Sequence, residues 1–149
     1  MNTHVFTVLG AQGFVGQALS QWLRARGHEV HTPARQLPPA ELSASLRGHV
    51  VYCIGLTADF RSRPWDTVDA HVGILRNLLA KGQFASLTYL SSTRVYLGGN
   101  AGHEDAPLTV RPEAPDQLYN LSKLMGESLC HAAHRPEKPV RVVRLSNVV

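Results

Sequence analysis

Apolar residues along the chain gather in short runs, separated by stretches in which they recur every three or four positions. Alternation of these two periods predicts strands alternating with helices, and hence a layered α/β domain around a parallel sheet. Strands are expected near residues 4–9, 28–33, 49–54, 86–91 and 139–145, and helices near 14–26, 39–47, 65–81 and 117–133. In the first helix Ala18, Leu19, Trp22 and Leu23 form the apolar side. Residues 58–64 and the Gly- and Pro-rich stretch 97–117 predict loops at the ligand-facing end of the sheet, able to close on a substrate.

Three clusters within this pattern carry chemistry. Tyr119 and Lys123 are four residues apart on the last predicted helix, so their side chains share one face. A phenol has an ordinary pKa of about 10, and a neighbouring cation favours its ionised form, so the pair can act as a proton-transfer device. An exposed polar pair on any helix has the same spacing. Gly10-Ala-Gln-Gly13-Phe-Val-Gly16 joins the first strand directly to the first helix. Glycines there allow a sharp turn and bring a pyrophosphate close to the free N–H groups at a helix start. An ordinary strand-to-helix turn is the plainer alternative. Finally, Ser91-Ser92-Thr93 ends the strand near 86–91, where open α/β sheets bind ligands and where serines also serve as turn formers.

Taken in order, these segments resemble the extended short-chain dehydrogenase/reductases, in particular the NAD-dependent epimerase/dehydratase group acting on nucleotide sugars. Gly10, Gly13 and Gly16 match the family's G-x-x-G-x-x-G; Val50-Val-Tyr-Cys-Ile-Gly55 is similar to its fourth strand; and Ser91-Ser-Thr-Arg-Val-Tyr96 is similar to S-S-x-x-V-Y. Glu104-Asp-Ala-Pro-Leu108 resembles the acidic-proline segment that follows, and Tyr119-Asn-Leu-Ser-Lys123 with Glu127 matches Y-x-x-S-K-x-x-x-E. The resemblance implies a Rossmann-like doubly wound parallel sheet over residues 1–149. It makes Tyr119 the general acid/base, Ser92 the hydrogen-bond partner of the reacting oxygen, and Lys123 the residue that holds the nicotinamide ribose and tunes Tyr119. Ser91 and Thr93 are the near candidates for the Ser92 role. Gly10, Gln12, Gly13, Phe14, Val15, Gly16, Arg35, Gly55, Tyr119 and Lys123 would contact NAD or NADP, and Ser92, Thr93 and Asn147 a nucleotide sugar. A homodimer is the implied assembly.

Departures from the family pattern qualify these expectations. Residues 36–49 leave room for one short helix, capped by Gly48, and not for a third strand with its crossover, so an edge strand and its adenine contact are expected to be missing. His71 stands where the family usually has asparagine, which puts that residue's structural bond in doubt. The chain ends on an apolar strand at Val149, so the second lobe that builds much of the substrate pocket in relatives is expected to be absent from this chain. Cofactor binding without turnover, in a regulatory or scaffold role, is therefore the alternative to an enzyme.

Cofactor preference depends on the end of the second strand. NAD-binding folds commonly place an acidic residue about 20 positions after the glycines, whereas an arginine accommodates a 2′-phosphate. Here Ala34 falls at that position and Arg35 follows, which favours NADP unless Arg35 is a solvated loop charge. At 44% hydrophobic residues the chain can build a core, and no apolar run approaches the ~20 residues of a membrane span. Its net charge of +4 comes from arginines scattered along the sequence, including Arg24, Arg61 and Arg94, so neither nucleic-acid nor membrane binding is expected. Histidines show no metal-ligand spacing, and Cys53 and Cys130 read as separate reduced thiols, in keeping with the cytoplasm.

Overall fold

The computed structural model describes residues 2–56 and 58–146. Five parallel strands, β1 (Val5–Leu9), β2 (Glu29–His31), β3 (His49–Tyr52), β4 (Ser86–Ser92) and β5 (Val140–Leu145), form one sheet in the order β2-β1-β3-β4-β5. Helices α1 (Phe14–Ala25), α2 (Pro39–Ala44), α3 (Pro64–Val68), α4 (Ile74–Lys81) and α5 (Gln117–Ala133) connect them. Parallel strands covered on both faces must be apolar throughout, and Val8, Leu9, Val50, Leu87 and Tyr89 are accordingly buried. The sheet is the Rossmann-like doubly wound type, and the short β2 is its edge because no strand lies between β2 and β3 in sequence.

The short return from β2 to β3 ends differently from its sequence expectation. Helix α2 stops at Ser45, in an ordinary right-handed conformation, so Gly48 is not its cap. Gly48 instead takes φ +61° at the entrance to β3, where a β-carbon would lie 2.1 Å from the Val5 carbonyl oxygen. Thr7 secures the same corner: its Oγ1 donates to the Arg47 carbonyl at 2.7 Å and accepts the Arg47 N–H at 2.8 Å. On α1, Leu23 is buried as expected, but Trp22 is half exposed and lies beneath the Arg26 guanidinium, 3.6 Å from the ring centroid.

A π-helical turn, Asp69–Gly73, interrupts the helix expected over 65–81 and separates α3 from α4. Its cause lies in the sheet. Tyr52 and Tyr89 are paired in register on β3 and β4; the Tyr52 hydroxyl donates to the Ala70 carbonyl at 2.5 Å and the Tyr89 hydroxyl to the His71 carbonyl at 3.1 Å. The widened turn presents both carbonyls to buried hydroxyls that would otherwise lack acceptors. Gly126 on α5 admits the Tyr89 hydroxyl, which a β-carbon there would meet at 2.3 Å. Two 3₁₀ turns, Ala58–Ser62 and Thr93–Tyr96, occupy segments that sequence periodicity leaves as loop and strand end.

Candidate active site

Gly10 leaves β1 with φ +78°, and its α-carbon packs against the Cys53–Ile54 backbone, where a β-carbon would come within 2.9 Å. Gly16 lies beneath the turn, where a β-carbon would meet the Gly10 carbonyl oxygen at 2.2 Å. Folding alone therefore requires these two glycines. Gly13 differs: its φ is −76°, open to any residue, and a β-carbon would meet nothing closer than 3.4 Å. Protein packing does not explain a glycine at 13, at the exposed start of α1. No acidic side chain lies in the first turn of α1 and no side chain caps it, so its N–H groups and dipole remain available to an anion.

Beside this turn lies a cavity of about 470 Å³, lined by Gly10, Gln12, Gly13, Arg35 and Gly55 among the expected residues. Phe14, Val15, Gly16, Tyr119 and Lys123 do not line it; Phe14 is 68% exposed, Gly16 is covered by the turn, and Tyr119 and Lys123 lie at the end of β4, with Tyr119 in a second cleft. Ser20, Arg24, Thr32 and Cys53 line it without having been anticipated. The signal for two of them is helical spacing, since Gln17, Ser20 and Arg24 follow Gly13 at intervals of four, three and four residues.

At the end of β4 the two serines have separate partners. Ser91 Oγ donates to Glu127 Oε1 at 2.6 Å, and Glu127 also receives Arg144 through both carboxylate oxygens, at 2.9 and 2.7 Å. That pairing raises the Arg144 pKa above its ordinary value, and Arg144 Nη1 also donates to the Tyr96 hydroxyl at 2.9 Å. Ser92 Oγ accepts the Arg94 N–H at 3.1 Å, which leaves its own hydroxyl proton free to donate. Ser92 and Thr93 line a second cleft, of about 530 Å³, together with Phe60, Arg94 and Tyr119.

Tyr119 stands between the Phe60 ring, 5.1 Å away, and the His71 ring, 5.0 Å away and edge-on. Lys123 is buried; its Nζ donates to the Leu90 carbonyl at 2.9 Å and lies 6.0 Å from the Tyr119 ring centroid. Burial lowers the Lys123 pKa to about 8, against the opposing pull of Cys53 and Glu127. Asn147 lies outside the described residues.

His71 takes up the structural bonding that its replacement of asparagine left in question. Ser122 Oγ donates to the Tyr119 carbonyl at 2.9 Å and so accepts from His71 Nδ1 at 2.8 Å, while His71 Nε2 faces the Leu56 N–H at 3.5 Å. This network assigns a neutral ring protonated at Nδ1. Burial, then the charge of Lys123, pushes the His71 pKa down to about 3, in keeping with that tautomer. The ring thereby ties the segment after β3 to the helix carrying Tyr119 and Lys123.

Among the described residues, no group of three His, Cys, Asp or Glu side chains could hold a metal, and no helix is long and apolar enough to cross a membrane. A sequence model of the NAD dependent epimerase/dehydratase family matches residues 6–149. UDP-glucuronic acid 4-epimerase from Bacillus cereus, in complex with NAD, superposes with a TM-score of 0.75 at 19% identity, over 96% of this chain and 56% of its own. TunA, an NAD-dependent NDP-hexosamine 5,6-dehydratase of tunicamycin biosynthesis, gives 0.72 at 25% identity over 95% and 54%. RMD from Pseudomonas aeruginosa, complexed with NADPH, gives 0.70 at 29% identity over 97% and 54%. The chain thus spans about half the length of these proteins. No curated protein sequence matches it significantly.

Proposed function

The chain belongs to the NAD dependent epimerase/dehydratase family, and from that premise we propose that it acts on a nucleotide sugar as an epimerase, dehydratase or reductase, with Ser92, Tyr119 and Lys123 as its catalytic set. The observation that carries this reading is the convergence of Ser92 and Tyr119 on one cleft, with the Lys123 ammonium fixed on the Leu90 carbonyl behind them.

The free N–H groups at the start of α1, with the backbone of Gly10, Gln12 and Gly13, would hold the dinucleotide pyrophosphate, and Gly55 and Lys123 would adjoin the nicotinamide ribose. A bound nicotinamide supplies hydride exchange at the sugar carbon. Tyr119 moves the proton on the oxygen of that carbon, and Ser92 donates a hydrogen bond to the same oxygen. Lys123 supplies positive charge near the Tyr119 ring, the sign that stabilises an oxyanion there.

NADP is the preferred cofactor in this reading. Arg24 joins Arg35 in the lining of the cofactor cavity, and two guanidiniums suit a 2′-phosphate where Ala34 offers no carboxylate to a 2′-hydroxyl. Titration with both cofactors, followed by a screen of nucleotide sugars for changes in cofactor fluorescence, tests the proposal. NADP should bind about tenfold tighter, and Arg24→Ala with Arg35→Ala should abolish the difference. Tighter NAD binding would refute the preference; cofactor binding without any response to nucleotide sugars would favour a binding module.

A further inference from the structure

Between β2 and β3 the chain runs through one short helix, α2, with no further strand. Leu42 on that helix belongs to the hydrophobic core and also lines the cavity beside the glycine turn. Helix α2 packs against α4, whose first residue, Ile74, lines the same cavity, as does Pro33 just past β2. Ile74 and Pro33 are half-buried walls, whereas Leu42, at 6% exposure, forms the floor. The order of the sheet gives this lining a direction. The glycine turn leaves β1, and Tyr119 and Lys123 gather at the end of β4, beyond β3. β2 lies on the other side of β1, and the cavity residues that follow it include both Arg35 and Leu42.

We propose that α2 seats the adenine ring of the cofactor, with Leu42 beneath it and Ile74 and Pro33 beside it, where no third strand is present to do so. The inference rests on the cofactor reading above. A dinucleotide held by its pyrophosphate at the glycine turn extends both ways along the sheet. Its nicotinamide half runs toward β4 and Tyr119, so its adenosine half runs toward β2. There Arg24 and Arg35 meet the 2′-phosphate, and the base beyond the ribose needs an apolar slot for its flat faces. Leu42, Ile74 and Pro33 supply aliphatic surface of that kind in the same cavity. The short return therefore keeps a base site, built from a helix.

The test titrates the wild-type chain and Leu42→Ala with NADP, adenosine 2′,5′-bisphosphate and reduced nicotinamide mononucleotide. In methyl-labelled wild type it also records NOEs from the adenine ring protons of the bound bisphosphate. Those protons should show NOEs to the methyl groups of Leu42 and Ile74. Leu42→Ala should weaken NADP and the bisphosphate alike, by about tenfold, and leave the mononucleotide within about twofold. Because Leu42 also belongs to the core, the wild-type NOEs decide the matter if the variant fails to fold. Bound bisphosphate without NOEs to either residue would overturn the proposal. So would a folded Leu42→Ala that binds the bisphosphate as tightly as the wild type, or that loses the mononucleotide equally. Failure of the wild type to bind either NADP or the bisphosphate would instead remove the cofactor reading, and this inference with it.

Discussion

Ser91 donates its hydroxyl proton to Glu127, 36 positions away, at 2.6 Å, and this bond distinguishes the two serines at the end of β4. Ser91 is committed to the buried carboxylate, whereas Ser92 accepts a backbone N–H and leaves its own proton uncommitted. Ser91→Ala should therefore lower stability by about 2 kcal/mol and leave kcat unchanged. Ser92→Ala should cost about 1 kcal/mol as a lost cap and lower kcat by about 10²-fold. Paired urea melts and steady-state rates measure both.

The Glu127–Arg144 pair joins α5 to β5 with little exposure on either side chain, 6% and 16%. Breaking a buried pair leaves an uncompensated charge, so Glu127→Gln should cost about 3 kcal/mol in chemical denaturation. Replacing both residues by methionine should restore most of that loss, because the desolvation of two ions is removed with their attraction. Equal destabilisation by the single and the double replacement would contradict this account.

Gly13 and Gly16 should respond to alanine in opposite ways. Gly16→Ala places a methyl 2.2 Å from the Gly10 carbonyl oxygen and should destabilise the chain by several kcal/mol, on the order of 3 or more. Gly13→Ala meets no such contact and should leave the melting temperature nearly unchanged while weakening NADP binding by about tenfold or more. Calorimetric melts and cofactor titration separate the two effects.

His71 should make the fold acid-sensitive. Its folded pKa of about 3 lies below the ordinary 6.5, so below pH 6.5 the unfolded chain holds a proton that the folded one refuses. Stability is then complete above pH 6.5 and declines toward pH 3, by roughly 3–5 kcal/mol in total. His71→Asn should flatten that part of the pH profile; an unchanged acid limb would place the sensitivity elsewhere.

Much of this was legible in the chain because the informative patterns are local. Strand, glycine turn and helix follow one another within residues 4–26, and the spacing of Tyr119 and Lys123 is a property of a single helix. What escaped depends on residues remote in sequence. The π turn at Asp69–Gly73 forms because Tyr52 and Tyr89, on two different strands, both donate into it. Arginines that look scattered along the chain are gathered by the fold, Arg24 with Arg35 at one cleft and Arg61 with Arg94 at the other. Gly48 carried the right signal for a left-handed residue, but the close approach of Val5 decides its place, not a helix end.

The central claim is that Tyr119 moves the proton while cofactor and sugar exchange hydride, and Tyr119→Phe isolates it, since the ring that packs between Phe60 and His71 is kept. Turnover of nucleotide sugars by the NADP-loaded protein should fall by about 10²- to 10⁴-fold in that variant, with the cofactor dissociation constant unchanged. A variant that turns over as fast as the wild type would contradict the account.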